Sequence, residues 1–237
     1  MQRLISATDS LASSTSPGTT AEERYAHLRN QVYLRMLFLM SDQPHQSMQA
    51  IHGIDKADQE FWKDTFFALT NYFEPEFMNN EATRAKQTAA RLDAAVQHLR
   101  EKAELEIQQI AFCREIKSFG NYEPFEKNEF REGDPVLVYA EVANFKSVPV
   151  ENGMFQTRLR SSMVLYKAGL NGRRQTKVFK FRPTIDLCRT RRRDYFLSYA
   201  IEIPKQIGFG QYVMELTITD EHGNKVATDS INFSIKP

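Results

Sequence analysis

Eight arginines, Arg158, Arg160, Arg173, Arg174, Arg189, Arg191, Arg192 and Arg193, are the side chains of this sequence whose type and spacing could do chemistry. A guanidinium is permanently charged, and its planar fork of donors matches the oxygens of phosphate, sulfate or carboxylate two at a time. Arg158 and Arg160 alternate about Leu159, Arg173 and Arg174 fall in a predicted turn, and the other four crowd the start of a predicted strand. Residues 158–205 hold 13 Lys or Arg against Asp186, Asp194 and Glu202, a balance of +10, while the whole chain of 237 residues carries +1, so the remainder sums to −9. The charge is bipolar along the chain, and wholesale nucleic-acid binding does not follow from it. Two expectations compete. Exposed, these arginines would hold an anionic polymer, a lipid headgroup, nucleic acid or an acidic protein. Internally paired, they would face acids of the helical region such as Glu101, Glu104 and Glu106 and fix the angle between two halves.

Other chemistry is sparse. His27, His45, His52, His98 and His222 are scattered, with none of the spacings of a zinc protease or finger, so no metal is expected. There is no phosphate-cradling glycine loop, dinucleotide fingerprint or Gly-x-Ser-x-Gly turn, and no cofactor is expected. Glu22 and Glu23 sit at a predicted helix start, where the helix dipole accounts for them. Cys113 and Cys188 are too few for a disulfide framework or a four-cysteine zinc site. One bridge between them suits an oxidising compartment, and two free thiols are the alternative.

The elements that must position these residues read as α+β: a helical bundle with one long helix, then an antiparallel β-sandwich. Residues 1–20 are rich in Ser and Thr without the apolar core of a secretory signal, and a disordered tail is expected there. Residues 21–108 are the expected helical region and 109–237 the sandwich. Thr20 with Glu22 and Glu23 marks a helix start, followed by Tyr25, Leu28, Val32, Met36 and Leu39 at helical spacing. The most apolar run, 32–40, is interrupted by Arg35 and is about half of the roughly 18 residues a bilayer crossing needs. It predicts a buried helix and no transmembrane segment. The helix should end between Ser41 and Pro44, and 45–51 predicts a short helix closed at Gly53. Asp55 can cap the next, whose aromatic face, Phe61, Trp62, Phe66, Tyr72 and Phe73, running to Pro75, predicts core rather than a stacking platform. Ala82, Ala85, Ala89, Leu92, Val96, Leu99 and Ala103 then step by three and four, a coiled-coil-like seam on a helix from about 80 to about 108. Packing within the bundle is the expected use of that seam, and a homodimer the alternative.

Period-two alternation predicts strands at 110–116, 136–145, 155–166, 175–181, 195–203, 212–218 and 231–235, with turns at 169–172 and 208–210. The first could instead continue the long helix. The run Gly210, Gln211, Tyr212, Val213, Met214 resembles the penultimate strand of immunoglobulin-like and fibronectin type III-like domains, in which a tyrosine forms the tyrosine corner. The resemblance implies that fold, and Tyr212 as the corner. Met214 stands where antibody domains carry their second cysteine, so the antibody-type disulfide is not implied. The wider pattern, a helical region followed by Phe119, Gly120, Asn121 and Tyr122, residues 136–145, and Arg192 to Phe196, resembles bacterial proteins of the same two-part layout. That layout implies no particular activity.

The expectation is therefore a non-enzymatic interaction or scaffolding protein with a protein partner. Alternatives are an anion-binding module acting through the arginines and an enzyme with a dispersed site, which a concave group of titratable side chains would favour. Nucleic acid is not the expected partner. The cytoplasm is the expected location for want of a signal, and the cell envelope the alternative.

Overall fold

The computed structural model describes residues 1–73, 80–169 and 172–237. The chain forms two units, Met1–Lys102 and Ala103–Pro237.

The first unit is helical. Its elements are α1 (Gln2–Ser14), α2 (Ala21–Leu39), α3 (Pro44–Ser47), α4 (Lys56–Phe73) and α5 (Glu81–Lys102). The expected disordered tail is therefore helical over α1, against the expectation. Its C-terminal end is tied down: Ala12 is buried, and Gln31 donates to Ala12 O at 3.2 Å. His27 lies buried between Thr15 O and His52 O, each 2.8 Å from a ring nitrogen. α2 starts at a capping box, with Thr20 Oγ1 accepting from Glu23 N and Glu23 Oε2 from Thr20 N. Arg35, the interruption in the apolar run, is buried and donates to four acceptors. Its Nε reaches Gln49 O and its Nη2 Ala50 O, both at 2.8 Å, while Nη1 bonds Gln31 O and Oε1 at 2.9 and 2.7 Å. These bonds strap α2 to the segment after α3. Gly53 follows with φ +80°, and a Cβ there would lie 2.2 Å from Pro17 Cγ, so only glycine fits.

Val32, Ile51 and Phe66 make the small core of this unit, with Leu28, Ile54 and Trp62 against it. Of the aromatic face on α4, Phe66 is core, whereas Tyr72 and Phe73 are exposed, and Pro75 lies outside the described residues. α5 packs on α4, but not through the predicted seam. Ala95 is its buried residue, and Arg91 and His98 reach the buried Asp64 at 3.3 and 3.6 Å. Leu92, Val96 and Leu99 remain 42–43% exposed, and the seam alanines are exposed as well. Intramolecular packing of the seam is thus not what α5 does with α4: a polar anchor on Asp64 turns the opposite face inward.

The second unit is built of strands β1 (Glu106–Ser118), β2 (Asn121–Pro124), β3 (Glu129–Phe130), β4 (Pro135–Ala143), β5 (Ser147–Val150), β6 (Met154–Gly169), β7 (Gly172–Lys180), β8 (Thr184–Cys188), β9 (Asp194–Glu202), β10 (Gly210–Asp220) and β11 (Lys225–Ile235). The long helix stops six residues short of the expected 108, and the first strand begins at Glu106. One sheet has the order β2-β1-β4-β9. The other runs β3-β11-β10-β6-β5, with β7 and β8 also on β6. Pairing is antiparallel except for β3 with β11. Inward-facing residues of both sheets, among them Phe112, Val138, Ala140, Leu159, Met163, Leu165, Tyr199, Met214, Leu216 and Phe233, share one core. Tyr212 stacks on Phe233 in that core, and its hydroxyl lies 2.5 Å from Ile207 O and 2.8 Å from Gly208 O. That upstream backbone bond is the one a tyrosine corner makes.

Candidate anion-binding surface

The larger sheet positions most of the predicted arginines, and its pleat decides where they point. On β6, Thr157, Leu159, Ser161, Met163 and Leu165 are buried, which turns Arg158, Arg160, Ser162, Val164 and Tyr166 to the outer face. β7 pairs with residues 162–169 of β6 and β8 with residues 155–159. The two lie end to end along one side of β6, and among the described residues neither pairs with another strand. The sheet thus ends in a free edge, of which β7 alone spans roughly 30 Å at about 3.3 Å per residue.

The eight arginines separate into three groups. Arg158 and Arg160 converge on one carboxylate, that of Glu221, whose own N–H donates to Arg158 O at 3.0 Å. The bonds from Arg160 and Arg158 hold the Glu221 carboxyl below the usual carboxylate range. In the second group, Arg192 grips Asp186 of β8 through Nε at 2.9 Å and Nη2 at 3.3 Å, while Arg191 lies over the Phe155 ring at 5.3 Å. Arg193 stands beside them in the same exposed loop of residues 189–193. The third group, Arg173, Arg174 and Arg189, is exposed and carries no ion pair among the described residues. The acids that pair with Arg158, Arg160 and Arg192 are Glu221 and Asp186 of the same unit.

Sequence reading missed three cations of the same edge. Lys177 and Lys180 on β7, and Arg182 between β7 and β8, are exposed and without an ion pair among the described residues. With Arg173, Arg174 and Arg189 they make six Lys or Arg over residues 172–189 against Asp186 alone, which Arg192 already engages. The signal was their spacing along a strand that the sequence reading had placed.

Cys113 and Cys188 are free thiols. Cys113 sits on β1 and Cys188 on β8, in different sheets, and the candidate bridge between them is not formed. Cys113 is covered on the outer side of the smaller sheet with Ala111 and Tyr139, beneath the stacked Tyr122, Tyr139 and Phe196 rings.

A second concave group of charged side chains lies within the helical unit. A cavity of about 470 Å³ is lined by Arg24, Tyr25, Leu28, Gly53, Ile54, Asp55, Asp58 and Lys102. Lys102 Nζ donates to Asp55 at 2.9 Å and to Asp58 at 2.6 Å. Partial burial pushes Asp55 up, but bonds from Asp58 N–H and Lys102 outweigh it and hold the carboxyl at about 2. Burial and the neighbouring Asp55 push Asp58 the other way. Asp55 accepts from Asp58 N at 2.9 Å, an N-terminal capping bond for α4, and Lys102 closes the last turn of α5. The contacts among Asp55, Asp58 and Lys102 are thus one capping bond and two ion pairs.

Among the described residues, no group of three His, Cys, Asp or Glu side chains is placed to hold a metal ion, and no helix is long and apolar enough to cross a membrane.

No protein-family model matches the chain, and no curated protein matches it in sequence. Solved structures similar to it include an alkylpurine DNA glycosylase, AlkC, of Pseudomonas fluorescens bound to DNA containing an abasic site analog. The identity is 10%, the TM-score 0.35, and the match covers all of this chain and 64% of the glycosylase, so the chain spans less than two thirds of that protein. An immunoglobulin-like protein of Pseudomonas aeruginosa matches 56% of this chain with 98% of its own, at 11% identity and a TM-score of 0.29. The C-terminal domain of wzt matches 57% of this chain with 75% of its own, at 11% identity and a TM-score of 0.32. Likeness at this level carries no argument about activity.

Proposed function

We propose that this chain is a non-enzymatic interaction protein whose β unit, an immunoglobulin-like sandwich, presents the β7–β8 edge to an extended acidic segment of a partner protein. The observation that carries the reading is the free edge itself, bearing six cations without ion pairs among the described residues, beside arginines that are already paired. A strand added to such an edge gains backbone hydrogen bonds along its length, and alternate side chains supply specificity. Charge on an edge also keeps like edges apart, so these cations repel the β7 of a second copy while admitting an acidic strand. The tyrosine corner at Tyr212 supports the immunoglobulin-like reading.

The test is calorimetric titration with an extended peptide of alternating Glu and Val, at low and high salt. Reversing Arg173, Arg174 and Lys177 to Glu is expected to weaken binding by about tenfold or more, with the wild-type affinity falling steeply with salt. Unchanged affinity in the triple variant overturns the reading. Tighter binding to a DNA duplex than to the peptide replaces the protein partner with nucleic acid.

A second reading rests on α5. The seam Ala82, Ala85, Ala89, Leu92, Val96 and Leu99 repeats at the period of a coiled coil, and it is the exposed face of the helix. A second copy presents the same period and the same small residues, so the self-complementary occupant is another α5. Sedimentation is expected to give twice the chain mass, reverting to one chain mass on changing Leu92 and Val96 to Glu. A wild-type monomer at high concentration refutes it.

A further inference from the structure

We propose that the outer face of the larger sheet carries a binding site for a tetrahedral oxyanion, a phosphate or sulfate group, formed by Arg160, Ser162, Lys180, Thr217 and Thr219. The strand register assembles it. Lys180 on β7 stands opposite Ser162 on β6, which stands opposite Thr217 on β10; one step along, Arg160 stands opposite Thr219. Directly opposed residues share a face of the pleat, so all five point outward, away from Leu159, Met163 and Leu216 of the core. Together with Ser161 and Phe181 they line a cavity of about 310 Å³. That volume is at the small end of ligand sites, the size for one compact group rather than an extended molecule.

The charge and the donors select the ligand. Arg158 and Arg160 share the single carboxylate of Glu221, which leaves that trio with one positive charge. Lys180 adds a second and has no ion pair among the described residues. A phosphate monoester carries about −1.5 to −2 at neutral pH and sulfate a comparable charge, so the balance closes. A carboxylate would leave one positive charge unanswered. The hydroxyls of Ser162 and Thr219 have no hydrogen-bond partner among the described residues, and Thr217 Oγ1 lies 3.1 Å from Thr228 Oγ1, leaving each able to donate to, or accept from, a ligand. Three hydroxyls, a guanidinium and an ammonium on one concave face suit an anion with four oxygens rather than two. A metal cation is excluded by the same charges.

This goes beyond the edge-strand reading, because it stands on side chains of the sheet face and not on the free backbone of β7. The test is a titration of the full chain with inorganic phosphate and, separately, with inorganic sulfate at constant ionic strength, followed by amide NMR shifts, with chloride as control. Saturating shifts centred on Ser162, Lys180, Thr217 and Thr219 are expected. Lys180→Ala is expected to weaken binding by about tenfold, the effect of losing one charge-assisted bond, and the double variant Thr217→Val, Thr219→Val, which loses two, by about tenfold or more. The triple reversal at Arg173, Arg174 and Lys177 is expected to leave phosphate binding intact, so the two readings fail separately. Saturation in phosphate alone assigns the site to phosphate, and saturation in both to oxyanions generally. Linear shifts indistinguishable from those in chloride overturn the proposal, as does undiminished saturation when Lys180, Thr217 and Thr219 are replaced together, with an unchanged melting temperature showing that the fold is kept.

Discussion

Arg35→Ala is expected to destabilise the helical unit by about 3 kcal/mol, at the upper end for hydrogen bonds from a charged donor. The side chain is 6% exposed and its guanidinium serves four acceptors, two of them the carbonyls of Gln49 and Ala50. No carboxylate is among those partners, so the charge is stabilised by carbonyl dipoles alone, and burial lowers the pKa from its usual value. Truncation removes the donors and strands the carbonyls in a site water cannot fully reach, the costly half of the asymmetry in hydrogen-bond energetics. Arg35→Lys is expected to recover little, because an ammonium is a compact point charge and does not reproduce the guanidinium's spread of donors to three backbone carbonyls. The readout is built in. Trp62, the only tryptophan of the chain, packs against Val32, Ile51 and Phe66, so its fluorescence in urea reports this unit. A loss under about 1 kcal/mol would mean that the carbonyls find water instead.

Arg35 also shows what a sequence discloses and what it withholds. The interruption in the run 32–40 was visible, and the predicted helix formed, but only Val32, Leu34 and Arg35 of the run are buried, while Tyr33, Met36 and Met40 are exposed. The acceptors of Arg35 were not visible, because Gln49 and Ala50 lie 14 and 15 residues on, in a segment without periodicity. The same division runs through the β unit. Seven strands were legible, most of them by alternation, since a half-buried strand must repeat every two residues, although the first could also have continued the long helix. The four others, β2, β3, β5 and β8, have two to five residues, too few to show a period. α1 was hidden by its Ser and Thr content, which reads as unstructured until Ala12 and Thr15 find partners on α2. On α5 the apolar seam was legible but not its use, because the buried Asp64 decided which face turned inward. The arginines follow the same rule. Their positive balance was plain, but which of them were quenched depended on Glu221 and Asp186, brought close only by the register of β6 with β10 and β8.

The two thiols are expected to react with iodoacetamide at rates differing by more than about 100-fold at neutral pH, Cys188 first. The thiolate is the nucleophile, so both the charge state and the access of each sulfur count. Cys188 is partly exposed at the end of β8, and the N–H and hydroxyl of Thr190 hold its pKa down, with Arg192 adding to the effect. Cys113 is 1% exposed, and burial pushes its thiol up to about 11 against a weaker opposing bond from the Tyr139 backbone. At neutral pH its thiolate population is then on the order of one in ten thousand, before access is counted. Alkylation of Cys113 therefore has to wait for an opening that lifts the Tyr122, Tyr139 and Phe196 rings from β1. Its rate should climb with urea in step with unfolding of the β unit, while that of Cys188 stays nearly flat, which makes Cys113 a probe of this unit as Trp62 is of the other. Peptide mass spectrometry after timed quenching resolves the two. Equal rates would mean that the aromatic cover over β1 opens freely, and protection of both sulfurs until a reductant is added would mean that they are bridged after all.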